Sequence, residues 1–191
     1  MLQTSLKPVE ARIYTNEFRV YGVVYMRPGT GTAWMLNTEQ RPHVPVTRVS
    51  MFRPGIAHPP DSGQLAYESH FAAVPKASIV WMQGGAPDSV QEGLGKERRG
   101  VYLVYPSFVI AGSFLIRPEL RLSDYLATAM GPKPFATLHD ARILSPQGRE
   151  QRFGELPVVQ QHDFVTVNLH HVGVVFDERG GDPAKAYVAE G

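Results

Sequence analysis

One block of this chain occurs twice. Phe18, Gly22, Arg27 and Pro28 return in the same order as Phe108, Gly112, Arg117 and Pro118, each ninety positions later. The offset then drifts upward by small insertions. Val49-Ser50-Met51-Phe52-Arg53-Pro54 lines up with Ala141-Arg142-Ile143-Leu144-Ser145-Pro146, Phe71-Ala72-Ala73-Val74 with Phe164-Val165-Thr166-Val167, and Ile79 with Val172. An internal repeat constrains the architecture before any local reading does. The stretch from Arg12 to Met82 therefore predicts a second copy from about Val101 to Val175, with a single large β domain as the competing reading.

The repeated unit is patterned for strands. Phe18, Val20, Gly22, Val24 and Met26 alternate with Arg19, Tyr21, Val23, Tyr25 and Arg27, and the second copy places Phe108, Ile110, Gly112, Phe114 and Ile116 on the corresponding face. Period-two alternation of β-branched and aromatic residues reads as a strand with one face in a core. A glycine on the inward face marks either a bend or an ordinary bulge. A bend is what a small closed barrel needs where one long strand serves both halves. The Arg-Pro pair then ends the strand in both copies, because proline cannot donate to a ladder.

The expected organisation is an N-terminal arm over 1–10, a first module over 11–83, a linker over 84–100, a second module over 101–177 and a tail over 178–191. Short strands are expected at Arg12–Thr15 and Tyr102–Tyr105, before the long strands. In the second copy, Ser123 or Asp124 is placed to cap a short helix whose Leu126, Ala129 and Met130 share a face. Gly131-Pro132 stops it. The first copy has Gly29-Thr30-Gly31-Thr32 there, which predicts a turn or a single helical turn rather than a full helix, with Trp34 and Met35 filling the core; an exposed Trp34 would mark a contact surface. Strands follow at Val44–Phe52 and Phe135–Leu144, then return strands near Leu65–Glu68 and Leu156–Gln160. Each copy closes as a strand, a helical turn of about four residues (Pro75–Ser78 and Asn168–His171) and a last strand. Trp81, Val23 and Leu115 fall on registers that could bury the joint between the copies, packed face to face, or a homo-oligomer contact.

The bent glycine strand, the block from Val44 or Ala136 and the strand–turn–strand close resemble an Sm-like or SH3-like small barrel. More narrowly, Arg121-Leu122-Ser123-Asp124-Tyr125-Leu126, Phe135-Ala136-Thr137-Leu138-His139-Asp140-Ala141 and Val167-Asn168 are similar to an uncharacterised family of bacterial domains; Ala127 stands where that family has Asn, and the first copy keeps only Leu36-Asn37 of the first element. The resemblance implies a mainly β fold of two tandem small barrels, each with a short helix or turn, related by a pseudo-twofold duplication. It implies no activity. Sm-like barrels bind RNA through loops, but this chain lacks their characteristic contact sequence at the closing turns, and fold alone does not carry function.

Chemistry is sparse. The chain has no cysteine, so thiolate catalysis, disulfides and zinc–thiolate sites are excluded. Its formal net charge is +1, so no global field draws nucleic acid or membrane. No apolar run approaches the roughly 18 residues that span a bilayer, and the N-terminus lacks a signal pattern, so a cytoplasmic protein is expected. His170-His171, read as strand neighbours, would face opposite ways, and His58 and Asp61 lack a spaced partner, so neither a metal nor another cofactor is expected. Ser123-Asp124 and His139-Asp140 do not make a nucleophile–base pair, and neither Gly29–Thr32 nor Gly93–Lys96 is a phosphate loop. The expectation is a non-enzymatic interaction or scaffold protein that binds a protein partner or itself. The alternative is single-stranded RNA or DNA binding through Lys96, Arg98 and Arg99 with Tyr21 and Tyr25 as stacking faces. A composite polar site is also expected if a pseudo-twofold pair brings Asn37 of the first copy to Arg121, Ser123 and Asp124 of the second.

Overall fold

A computed structural model describes residues 5–53, 65–88, 95–145 and 152–178. The proline-rich loop with His58 and Asp61, Gly93 of the linker, the loop at 146–151 and the tail from 179 lie outside the described residues. The chain is mainly β. Ten antiparallel strands form one open sheet, with two short α-helices. The strands are β1 (Lys7–Thr15), β2 (Arg19–Met26), β3 (His43–Phe52), β4 (Leu65–Pro75), β5 (Ile79–Gly84), β6 (Glu97–Val104), β7 (Val109–Ile116), β8 (Phe135–Leu144), β9 (Val158–Asn168) and β10 (Val174–Asp177). The helices are α1 (Thr32–Thr38) and α2 (Leu122–Ala129).

The sheet runs β10-β6-β7-β8-β9-β5-β1-β2-β3-β4. Its first half thus has the order β5-β1-β2-β3-β4 and its second half β10-β6-β7-β8-β9. The irregularities correspond as well. Pairing slips between Tyr21 and Val23 against β3, and between Ala111 and Ser113 against β8. Arg48 and Asp140 both take positive φ, 52° and 51°. Each slip skips a glycine that lets two strands approach closely: a Cβ on Gly22 would stand 2.6 Å from Val46 and 2.7 Å from the Thr47 carbonyl, and one on Gly112 2.7 Å from Leu138 and 2.8 Å from the His139 carbonyl. The glycines are therefore bulge glycines at which a side chain has no room.

Strand order leaves β10 and β4 as free ends, so the sheet is not closed into barrels. The halves do not meet as a twofold pair either. A twofold contact joins like strands, whereas here β5 pairs with β9, which holds in the second half the place of β4 in the first. The contact is edge to edge and head to tail, not face to face. Trp81 sits in it, paired with Val167, but Val23 and Leu115 do not: they lie on β2 and β7, separated from the joint strands by β1 and β8.

Several boundaries differ from expectation because pairing continues wherever a partner strand continues. β1 starts at Lys7, opposite Met26, which takes part of the expected arm into the sheet. β6 starts at Glu97, opposite Ile116, so the basic run at the end of the expected linker is strand. β4 and β9 are single strands of 11 residues, each merging an expected return strand with the strand that was to follow it. Three-residue 3-10 turns, Lys76–Ser78 and Leu169–His171, lead into β5 and β10.

The first half also holds a seven-residue helix where a turn or a single helical turn was expected. Seven residues are too few to be helical in isolation. Tertiary partners hold α1. Thr32 donates its backbone N–H to the Ala86 carbonyl at 3.0 Å and its Oγ1–H to the Gly84 carbonyl at 2.7 Å. Asp88 accepts from the Trp34 N–H at 2.9 Å, and Lys76 Nζ donates to the Leu36 and Glu39 carbonyls at 2.7 Å each. Both orphan ends are thereby satisfied by charged side chains of the favourable sign. Met35 and Leu36 are buried, whereas Trp34 is 41% exposed and so does not fill the core. In α2 the residue before the first turn is Arg121, and neither Ser123 nor Asp124 caps it; Asp124 lies within the first turn.

Candidate functional site

The joint between β5 and β9 carries buried polar groups from both halves. Tyr14 and Trp81, both 0% exposed, stack with ring centroids 3.6 Å apart, and the Trp81 ring meets His162 of β9. Tyr14 Oη–H donates to Gln160 Oε1 at 3.2 Å, and Asn168 Nδ2 donates to the Ile79 carbonyl at 2.9 Å. Asn37 of α1 brackets the start of β8: its Nδ2 donates to the Phe135 carbonyl at 2.7 Å and its Oδ1 accepts the Phe135 N–H at 3.1 Å. Gln160 and Asn168 are buried polar groups, so these bonds satisfy atoms that burial would otherwise penalise. Burial also raises the pKa of the Tyr14 hydroxyl, keeping it a neutral donor.

Beside the joint lies a cavity of about 410 Å³ lined by Asn37, Glu39, Arg41, Lys76, His170 and His171, with apolar walls from Leu36, Pro134 and Phe135. Its histidines are already engaged. His170 Nε2 is 2.8 Å from the Met130 carbonyl and His171 Nε2 is 2.8 Å from the Ala77 carbonyl. A carbonyl only accepts, so both rings carry their proton on Nε2. Burial lowers the Lys76 pKa, and the Glu39 charge works in the opposite direction. A second groove, of about 530 Å³, crosses the bulge of the first half and is lined by Glu10, Arg12, Tyr21, Arg48 and Gln83.

The residues singled out in the sequence do not gather at one place. Asn37 commits both side-chain groups to Phe135 and is not bonded to Arg121, Ser123 or Asp124, so the composite site is not assembled through it. Of the basic cluster, Lys96 is exposed, Arg98 pairs with Asp140 and Arg99 with Asp177. Tyr21 packs against Phe52 and beneath Arg12, and Tyr25 is 47% exposed. Among the described residues, no three His, Asp or Glu side chains are grouped to hold a metal ion. No described helix is long and apolar enough to cross a membrane.

The sheet ends are the other notable surface. β4 exposes Leu65, Tyr67 and Phe71, and β10 exposes Val174 and Phe176. Among the described residues, neither strand has a partner on its outer side. Open edges for a partner strand were expected of small barrels, but which strands would form them was not legible, because strand order is a property of pairing that no local pattern encodes. No family model, curated protein or solved structure matches the chain.

Proposed function

We infer that the chain is a non-enzymatic interaction or scaffold protein built from two tandem five-stranded modules, with the strand order of Sm-like or SH3-like small barrels, joined here in one open sheet. The observation that carries this is the pair of open sheet edges bearing large exposed apolar side chains. An unpaired edge offers a row of backbone donors and acceptors to another strand, and proteins that have no use for such an edge blunt or cover it. Apolar side chains alternating along it would give the added strand specificity. The repeated strand order, the repeated bulge and the positive φ at Arg48 and Asp140 support the tandem-module reading. A photoreactive residue placed in cells at Tyr67 or Phe176 tests the function. Cross-links at these positions, with none at exposed Glu17, are expected. Equal labelling at all three would refute the edge reading.

Nucleic-acid binding is kept as the second reading by one observation. The joint cavity is lined by Arg41, Lys76, His170 and His171 against a single carboxylate, Glu39. Fluorescence anisotropy with labelled single-stranded RNA and DNA at low and moderate salt tests it. Binding through phosphates weakens with salt at a slope of about −0.7 per contact on single strands.

A further inference from the structure

We propose that β4 of one copy of this chain pairs with β10 of the next, repeating between molecules the β5–β9 joint that exists within one. The inference rests on the interaction reading and names its partner: a second copy.

The argument starts from which surfaces the inner joint covers. It brings β5 and α1 of the first half against β9 and β8 of the second. In the second half, β10 and α2 hold the places of β5 and α1, and they face no such neighbour among the described residues. The consequence is visible in burial. α1 buries Thr32, Ala33, Met35 and Leu36, whereas α2 buries none of its residues, and Leu126, at the place of Leu36, is only half-buried. At the other end of the sheet, β4 holds the place of β9, and among the described residues nothing pairs with its outer side. The two ends are therefore complementary in the same sense as the inner joint, and they belong to different ends of the molecule. A head-to-tail contact of this kind closes into a ring or extends as a filament.

The register follows from the turns. Aligning Lys76–Ser78 with Leu169–His171 puts Val174 at the place of Trp81, Val175 at Met82, Val74 at Val167 and Ala73 at Thr166. The inner pairs Trp81–Val167 and Met82–Thr166 thus predict outer pairs Val174–Val74 and Val175–Ala73. The side chains differ consistently. Where the inner joint has the polar groups Asn168, Gln160, Asn37 and Tyr14, the outer positions carry Pro75, Tyr67, Ala127 and Val104. The side-chain bonds of the inner joint have no counterpart at the outer positions, where Tyr67 alone keeps a polar tip, so the outer contact rests on backbone pairing and apolar surface and its strength changes little with salt.

The test uses the full chain. Light scattering after size exclusion is expected to give multiples of the single-chain mass, unchanged by added salt. Because the chain has no cysteine, Ala73→Cys combined with Val175→Cys introduces only the proposed pair. Oxidation is expected to yield a ladder of cross-linked species from the double variant and no ladder from either single one. Val174→Lys and Tyr67→Lys change exposed side chains, so each is expected to return the chain to single-chain mass and to melt as the parent does at dilutions where it is dissociated. A single-chain mass at all concentrations, or an assembly that survives both lysines, overturns the proposal. So does Ala73→Cys alone cross-linking as well as the double variant, since that would join like edges. A single-chain mass leaves the interaction reading standing if Tyr67 and Phe176 still cross-link to other proteins in cells.

Discussion

Asn37→Ala separates a structural clamp from a surface helix residue by the sign of its effect. Alanine is the better helix former, so at a plain surface position the change would stabilise by up to about 0.7 kcal/mol. Here the side chain makes two bonds to Phe135, at 2.7 and 3.1 Å, across the joint. Each net hydrogen bond is worth about 1 kcal/mol, and each backbone group left without a partner in partly buried surroundings costs about 1–3 kcal/mol. After subtracting the helix gain, the expected loss is about 1.5–3 kcal/mol. For a chain of this size about 1 kcal/mol moves Tm by about 2–4 °C, so Tm falls by about 3–12 °C. Thermal unfolding followed by far-ultraviolet circular dichroism measures it. Asn37→Asp is a sharper control: it keeps the acceptor for the Phe135 N–H but sets a carboxylate oxygen against the Phe135 carbonyl, and is expected to cost at least as much. An Asn37→Ala variant as stable as the parent or more so would refute the clamp.

Three further outcomes are expected. Trp81→Ala removes a fully buried ring stacked on Tyr14 and costs about 3–5 kcal/mol, measured by urea unfolding; a loss below about 1 kcal/mol would place Trp81 outside the joint core. Gly22→Ala and Gly112→Ala each push a methyl group into a backbone carbonyl of the next strand and should destabilise by similar amounts, about 1–3 kcal/mol each; an effect in only one half would break the correspondence of the two bulges. Burial, helped by the Arg12 charge, lowers the His162 pKa in the folded chain below that of the unfolded chain. The unfolded state then binds the proton more readily, so this contribution is complete above the unfolded value near 6.5 and is lost as pH falls below it. Replacing His162 by Gln should flatten the stability profile between about pH 7 and 5, and an unchanged slope would count against the desolvated ring.

How far the fold could be read in advance depends on whether the deciding interaction is local. The alternation around Gly22 and Gly112 is local, and both strands formed there. Even so, β2 also buries Arg19, 1% exposed, and Val23, which stand on the other register from Val20, Val24 and Met26. The helix α1 was hidden because its stabilising groups, Gly84, Ala86, Asp88 and Lys76, come from about 40 to 55 residues further along the chain. Trp81 was marked as a joint residue by its register, but the face-to-face arrangement attached to it was wrong, since it is backbone pairing of β5 with β9 that joins the halves. Asn37 stood out through the family resemblance, yet nothing in its neighbourhood names Phe135 as its partner. The basic run at Lys96–Arg99 looked like free charge only while it was read as linker. Once Glu97–Val104 is a strand, Arg99 meets Asp177 of the neighbouring β10, and Arg98 reaches Asp140 of β8, two strands away.

The central claim is that the sheet's two open ends are its binding edges, and amide hydrogen exchange read by mass spectrometry at low and high protein concentration tests it most directly. The account predicts that peptides from β5 and β9 stay protected throughout, while those covering 65–75 and 174–177 gain protection as concentration rises. Exchange at β4 and β10 that is fast and independent of concentration, with or without added partners, would contradict it.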